Sequence, residues 1–179
     1  MERAPQIIVI SGLPGAGKST LARRLAGALL PGAHVEADRL QDLIVSGAAH
    51  GTPDGISDEA TRQIRLRLHH AVLLATSFRT SGFTAVIDDI ITGPRFTDLL
   101  DELDGTEFSF IMLERDLGVM KASWRTIGSP FVDAFDWIDE EIRTATPRVG
   151  LWIDTTHQNE DETFTEILTR LDEAVVTGR

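Results

Sequence analysis

Short apolar runs rich in β-branched residues alternate along this chain with longer segments whose apolar positions recur every three or four residues. That alternation is what a parallel sheet with crossover helices requires, so it predicts an α/β domain. Five strands are predicted, at residues 7–10, 34–37, 84–87, 108–113 and 151–153, each short and apolar as strands buried on both faces tend to be. Helical segments are predicted at about 18–30, 39–45, 58–80, 96–102, 118–124, 133–144 and 160–175. In the longest of these Ala60, Ile64, Leu68, Ala71, Ala75 and Phe78 define one buried face, and Gly82 follows as a stop signal. Asn159 stands three residues before Glu162, the spacing of a capping box, ahead of Ile167, Leu168 and Leu171 on the apolar face of the last helix. Residues 46–57 (SGAAHGTPDGIS) and 126–131 (TIGSPF) carry the Gly and Pro of loops.

Length and composition narrow the class without naming a chemistry. The 179 residues fit a single domain, 1–179, with a sizeable core. A formal charge of −11 disfavours nonspecific attachment to nucleic acid or to anionic membrane. With no cysteine, the chain has no disulfide framework, iron–sulfur ligands, thiolate zinc site or Cys nucleophile. No export signal and no run of about 18 apolar residues is visible, so a soluble, cytoplasmic protein is expected.

The chemistry enters with Gly12, Leu13, Pro14, Gly15, Ala16, Gly17, Lys18 and Ser19, which match G-x-x-x-x-G-K-[ST] between a predicted strand and a predicted helix. Glycines let consecutive N–H groups point inward, and the helix start adds partial positive charge toward a polyphosphate. Lys18 is expected to reach the β- and γ-phosphates, Ser19 to offer its hydroxyl to Mg²⁺, and Thr20 to continue the loop's nucleotide contacts. A mere Gly-rich turn is the competing reading, and the strand–loop–helix context opposes it.

Acidic residues fall at the carboxyl ends of two further strands, the edge at which ligands bind in open α/β sheets. Asp88 and Asp89 follow an apolar strand in the Walker B pattern, and Asp88 is the expected Mg²⁺ partner. Asp38 follows the second strand. Transfer to a neutral hydroxyl needs a carboxylate to take the proton, and Asp38 is the candidate base, with a helix N-cap as its alternative. Charge on the transferred group calls for cations from a covering segment. Arg115, Lys121 and Arg125 precede the Gly-Ser-Pro break, so about 115–135 is expected to form a lid with Arg125 as its catalytic cation, and about 39–80 the acceptor-binding region. A solvated helix face is the plain alternative for Arg125. No N-K-x-D string occurs, which disfavours a GTPase switch.

GLPGAGKS, Asp38 in VEADRL, the acid pair in AVIDDI and VGLWIDTTHQNED before a final helix together resemble the chloramphenicol phosphotransferase-like branch of the small P-loop kinases. The resemblance implies a three-layer α/β/α fold with a five-stranded parallel sheet in the order 2-3-1-4-5. It implies ATP and Mg²⁺ as cofactors and phosphorylation of a hydroxyl on a small molecule such as an antibiotic, with Asp38 as base. Arg115, Thr155, Thr156 and His157 would then lie at the nucleotide, the last three beside adenine, although that turn is also a plain entry to the last helix.

Other residues weigh less. His69 and His70 are adjacent on a helix and lack metal-ligand spacing. His50 is a candidate substrate contact. Trp124, Phe131, Phe135 and Trp137 are candidates for an apolar acceptor pocket or for core, and Asp133 and Asp136 for hydrogen bonds to a polyhydroxylated acceptor or for a solvated helix start. Arg62, Arg65 and His69 share a face that reads as surface. Two rival functions stand beside the small-molecule kinase. A nucleotide or polynucleotide 5′-hydroxyl kinase is disfavoured by Gln41, where an Arg is expected three residues after the base. An ATP-binding regulator would not depend on Asp38.

Overall fold

The computed structural model describes residues 4, 6–52, 55–126 and 135–177. Their order is β1 (Ile7–Gly12), α1 (Lys18–Ala28), β2 (Gly32–Glu36), α2 (Ala37–Gln41), α3 (Asp58–Thr80), β3 (Thr84–Asp88) and α4 (Pro94–Leu103). Then come β4 (Glu107–Glu114), α5 (Leu117–Thr126), α6 (Asp136–Thr144), β5 (Leu151–Asp154), α7 (Glu160–Arg170), a 3₁₀ turn (Leu171–Ala174) and β6 (Val175–Thr177). The five predicted strands pair in parallel in the order β2-β3-β1-β4-β5.

The strands alternate their side chains between two helical layers, because successive residues of a strand point to opposite faces. Ile7 and Val9 join Leu68, Ala71 and Ala75 of α3 and Phe96 and Leu99 of α4. Ile8 and Ile10 join Leu21, Ala22 and Leu25 of α1 and Ile167 of α7. Phe96 meets Phe110 edge to face, with ring centroids 5.0 Å apart. Burying each such side chain contributes about 1.5–3 kcal/mol before conformational entropy is subtracted, so the central strand is fixed from both sides. Its carboxyl end, where the phosphate loop begins, inherits that rigidity.

Four local expectations are corrected. The last helix stops at Arg170 instead of continuing to 175, and Val175–Thr177 forms a sixth, antiparallel strand on β4. The cause is an unfilled edge: β5 pairs with β4 only from Ile111 onward, leaving Glu107–Ser109 open to the β-branched Val175 and Val176. Ala37 opens α2 instead of closing β2, and α2 ends at Gln41. Phe78 is exposed, stacked edge to face on Phe83 rather than buried under the sheet. Phe131 and Asp133, with the predicted helix start at 133, lie outside the described residues. The capping box at Asn159 and Glu162 forms as expected, through bonds of 3.0 and 2.8 Å. Among the described residues no helix is long and apolar enough to cross a membrane.

Candidate functional site

The order β2-β3-β1-β4-β5 brings residues from separate strand ends to one edge of the sheet. Gly12, at the end of β1, lies opposite Leu113 of β4, where a Cβ would stand 2.6 Å from the Leu113 carbonyl oxygen. Any larger residue would push the loop off the sheet. Gly17, at φ 86°, turns the chain into α1 and makes no side-chain cap, so the first N–H groups of that helix remain available for an anion. Leu13 and Ala16 are buried beneath the loop, and Pro14 is half-buried. Lys18 donates to the Leu13 carbonyl at 3.0 Å, folding back along its own loop. Burial lowers its pKa, while the carboxylates of Asp88, Asp89 and Asp38 pull it upward. One ammonium group therefore senses all three acids picked out from the sequence.

Those acids divide the edge between them. Asp88 accepts from the Ser19 hydroxyl at 2.5 Å through Oδ2, and its Oδ1 meets His34 Nε2 at 2.6 Å. The strand register sets Ile10, Asp88 and Glu36 in a row, which places this carboxylate directly beside the phosphate loop. A hydroxyl and a carboxylate in contact are the hard oxygen donors that suit Mg²⁺. Among the described residues no group of three His, Asp or Glu forms a protein cage for a metal. A divalent ion held by Ser19 and Asp88 would draw its other ligands from water and phosphate, as Mg²⁺ commonly does.

Asp89 turns the other way. It is buried and accepts from Arg67 Nη2 at 2.5 Å and from the Ile90 amide at 2.7 Å. Burial raises its pKa and the Arg67 guanidinium opposes the rise. The Ser11 hydroxyl both accepts from the Ile91 amide and donates to its carbonyl, each at 2.9 Å, which pins the chain after Asp89 to β1. Asp38 is the second residue of α2, whose N-cap is Glu36, so capping does not account for it. Its side chain is 81% exposed and meets Arg67 Nη1 at 2.9 Å.

The wall behind Asp38 is held by two buried amides. Gln63 accepts from the Ala49 amide at 2.8 Å and from Gln41 at 3.0 Å, and donates to the Gly47 carbonyl and to Glu59 at 2.8 and 2.6 Å. The loop beginning at Ser46 is thus tied to α2 and α3 through side chains. His50, within it, is exposed. Arg62, Arg65 and His69 pair with Glu59, Asp98 and Glu102 on the outer surface of α3.

At the other end of the loop, Gly15, Thr20, Arg115, Thr155 and Asn159 line a cavity of about 130 Å³. Thr155 donates to the Glu114 carbonyl at 3.0 Å, and Thr156 accepts from the Asp116 amide at 2.9 Å, so the turn after β5 is joined to the turn after β4. Thr156 faces a second cavity of about 580 Å³, shared with Arg115, Lys121 and Asp139. The Arg115 Nε is buried without a partner, an orphaned donor between the two cavities that fits an anionic or hydrogen-bonding ligand. His157 is exposed and lines neither cavity. Arg125 is exposed in the last turn of α5, and the rest of the expected lid, 127–134, lies outside the described residues. Lys121 pairs with Asp136 at 2.5 Å, and Trp124 stacks edge to face on Phe135.

Sequence reasoning missed Arg67, His34 and the pair Gln41 and Gln63. Arg67 was detectable: it keeps three- and four-residue spacing with Ala60, Gln63, Ala71 and Ala75, all buried. A cation on a buried stripe needs a carboxylate.

No family model matches the chain, and no curated protein matches it. Solved structures do. The tunicamycin resistance protein of Deinococcus radiodurans aligns over 97% of this chain and 99% of its own, with 23% identity and a TM-score of 0.68. A gluconokinase from Sinorhizobium meliloti aligns over 95% and 93%, with 19% identity and a TM-score of 0.67. The Mycobacterium tuberculosis APS kinase CysC, in complex with AMPPNP and APS, aligns over 94% and 98%, with 15% identity and a TM-score of 0.64. This chain has the fold of the small P-loop kinases. Each alignment runs nearly end to end on both sides.

Proposed function

We propose that this chain is an ATP-dependent phosphotransferase that moves the γ-phosphoryl group to a hydroxyl of a small molecule. The observation that carries the reading is geometric: the Ser19 hydroxyl meets the Asp88 carboxylate at 2.5 Å at the end of the phosphate loop, and Arg67 ties Asp38 to Asp89 on the same edge of the sheet. The loop amides and Lys18 would hold the triphosphate, and Arg115 with the turn at Thr155 and Thr156 would hold the nucleoside end. Ser19 and Asp88 would hold Mg²⁺, which when bound supplies positive charge to the phosphate oxygens. Asp38 would take the proton of the acceptor hydroxyl as its oxygen attacks the γ-phosphorus. The bond from that phosphorus to the bridging oxygen breaks, and ADP leaves with the electron pair. Arg125 remains part of the reading as the lid cation, and His157 as a neighbour of adenine in the turn after β5.

The names of the structural neighbours support the coarse reaction, since a gluconokinase and an APS kinase both phosphorylate small molecules. The tunicamycin resistance protein, together with the chloramphenicol phosphotransferase-like motifs, favours an antibiotic among the acceptors. The test is ADP release from ATP and Mg²⁺ with a panel of hydroxylated antibiotics, nucleosides and sugars, using the native chain and Asp38→Asn. At least one acceptor should stimulate release, and Asp38→Asn should lower kcat by about 10²–10⁴-fold, the range for a lost general base. Stimulation by no acceptor, with residual ATP hydrolysis indifferent to Asp38→Asn, would leave a nucleotide-binding regulator instead.

A further inference from the structure

Arg67 occupies the inner stripe of α3 yet ends at the sheet edge, its side chain only 11% exposed. Its two terminal nitrogens serve two different elements. Nη1 bonds Asp38 on α2 at 2.9 Å, and Nη2 bonds Asp89 after β3 at 2.5 Å. Its Nε is buried with no partner, and the two bonded terminal nitrogens hold the fork between α2 and the end of β3. Each terminal nitrogen thus already serves a carboxylate, which fits a structural anchor better than a substrate clamp.

The need for an anchor follows from α2. It has five residues, too few for a helix to be stable by itself; the buried Gln41 holds its far end to Gln63 at 3.0 Å, while in its first turn the Asp38 side chain is 81% exposed. An aspartate in that setting has no packing to fix its rotamer. A general base must lie within about 2.6–3.2 Å of the proton it takes. Asp89, by contrast, is held from several sides: it is buried, bonded to the Ile90 amide, and followed by the Ser11–Ile91 clasp. Arg67 is the rigid link between the two.

We infer that Arg67 is a positioning residue, which fixes Asp38 in the cleft by tying it to the buried Asp89. Its role in transfer rests on the reading of Asp38 as the base. The Arg67 bond uses Asp38 Oδ1 and leaves Oδ2 to take the proton. The planar fork matters, because it serves two carboxylates at once, which the single ammonium of Lys does not reproduce.

The experiment compares the full native chain with Arg67→Lys and Arg67→Met, using ATP, Mg²⁺ and the acceptor that gives the fastest ADP release. Arg67→Lys should lower kcat by about 30–300-fold, the scale of a misplaced catalytic group, with KM for ATP and for the acceptor changed by less than about threefold. Independently, hydrogen exchange at the amides of α2 should quicken by about tenfold or more, as expected when an element loses its anchor, while α1 stays unchanged. A raised acceptor KM at constant kcat would make Arg67 a substrate clamp and overturn the proposal. Unchanged α2 exchange in Arg67→Lys would overturn it as well. Should Arg67→Met fail to fold, because Asp89 is left buried and unpaired, Arg67→Lys decides alone. If the native chain phosphorylates nothing, the base reading fails by itself, and the exchange measurement still decides whether Arg67 anchors α2.

Discussion

The two sides of the cleft are built by different means. On the phosphate side, backbone conformation and core packing do the positioning: Gly12 lies against the Leu113 carbonyl, Gly17 turns into α1, and Leu13 and Ala16 are buried beneath. On the side proposed to receive the acceptor, polar side chains bond to one another: Gln63 to Gln41 and to the loop backbone, and Arg67 to Asp38 and Asp89. A backbone cradle tolerates few residue types and leaves a motif that any reader of the sequence can find. A side-chain network can be assembled from many combinations, so it leaves no string.

Substitutions on either side should separate in what they damage. Asp38→Asn, on the acceptor wall, should have the largest effect on turnover, the 10²–10⁴-fold loss of kcat expected for a general base, with ATP affinity left within about threefold. Lys18→Ala should show the opposite pattern. Removing a cation that makes charge-assisted bonds costs about 1.5–3 kcal/mol per bond, so ATP binding measured by calorimetry should weaken by about 10–150-fold before any acceptor is added. Should Asp38→Asn weaken ATP binding as much as Lys18→Ala does, the division into two sides would not hold.

How much of this was legible follows from the same division. The five parallel strands, the strand–loop–helix at Gly12–Ser19 and the place of Asp88 at a strand end could be read directly, because each depends on local pattern: an apolar run, a glycine spacing, an acid after apolar residues. β6 could not, since Val175 and Val176 extend an apolar helical stripe just as well as they form a strand, and only the short reach of β5 along β4 decides between them. Arg67 was passed over for a different reason. It lies among Arg62, Arg65 and His69, which are surface residues, and its separation from Asp38 by 29 positions hides the pairing that defines it. The turn at Thr155 was legible as a place. The partner of its hydroxyl, the Glu114 carbonyl on the neighbouring strand, was not, because that bond spans 41 positions.

A smaller effect tests the wall itself. Gln63→Leu keeps a residue of similar size but leaves the Ala49 amide without its acceptor, removes one of the two acceptors of the Gln41 side chain, and removes the donor to the Gly47 carbonyl. The lost bonds to the loop backbone are part-buried, and each contributes about 0.5–1.5 kcal/mol net, while in a chain of this length each kcal/mol lowers Tm by about 2–4 °C. A fall in Tm of about 3–10 °C is therefore expected by calorimetry, together with faster proteolytic cleavage between residues 46 and 52. ATP affinity should not move, since among the described residues the hydrogen bonds of Gln63 go to Gln41, Gly47, Ala49 and Glu59 and none to the phosphate loop. An equal loss of ATP affinity would show that the two sides are mechanically one.

The smallest expected effect lies at the outer end of that wall, where Glu59 accepts from Arg62 and Gln63. Those bonds hold its carboxyl well down, at about 2 against the usual 4.5. A carboxylate whose pKa is lower in the folded than in the unfolded chain stabilises the folded state above its unfolded value, and this contribution is lost as pH falls toward the folded one. The first turn of α3 should therefore loosen between about pH 4.5 and about pH 2. The group is solvent-exposed and screened, so the consequence should be local fraying and no shift in global stability. NMR titration of the Glu59 carboxyl, with amide exchange at residues 58–63, provides the measurement. In Glu59→Gln the exchange at those amides should lose its pH-dependent step once intrinsic exchange is corrected for. A Glu59 midpoint near 4.5 would mean that Arg62 and Gln63 do not hold it in solution, and that the loop wall ends at Gln63 rather than reaching the surface.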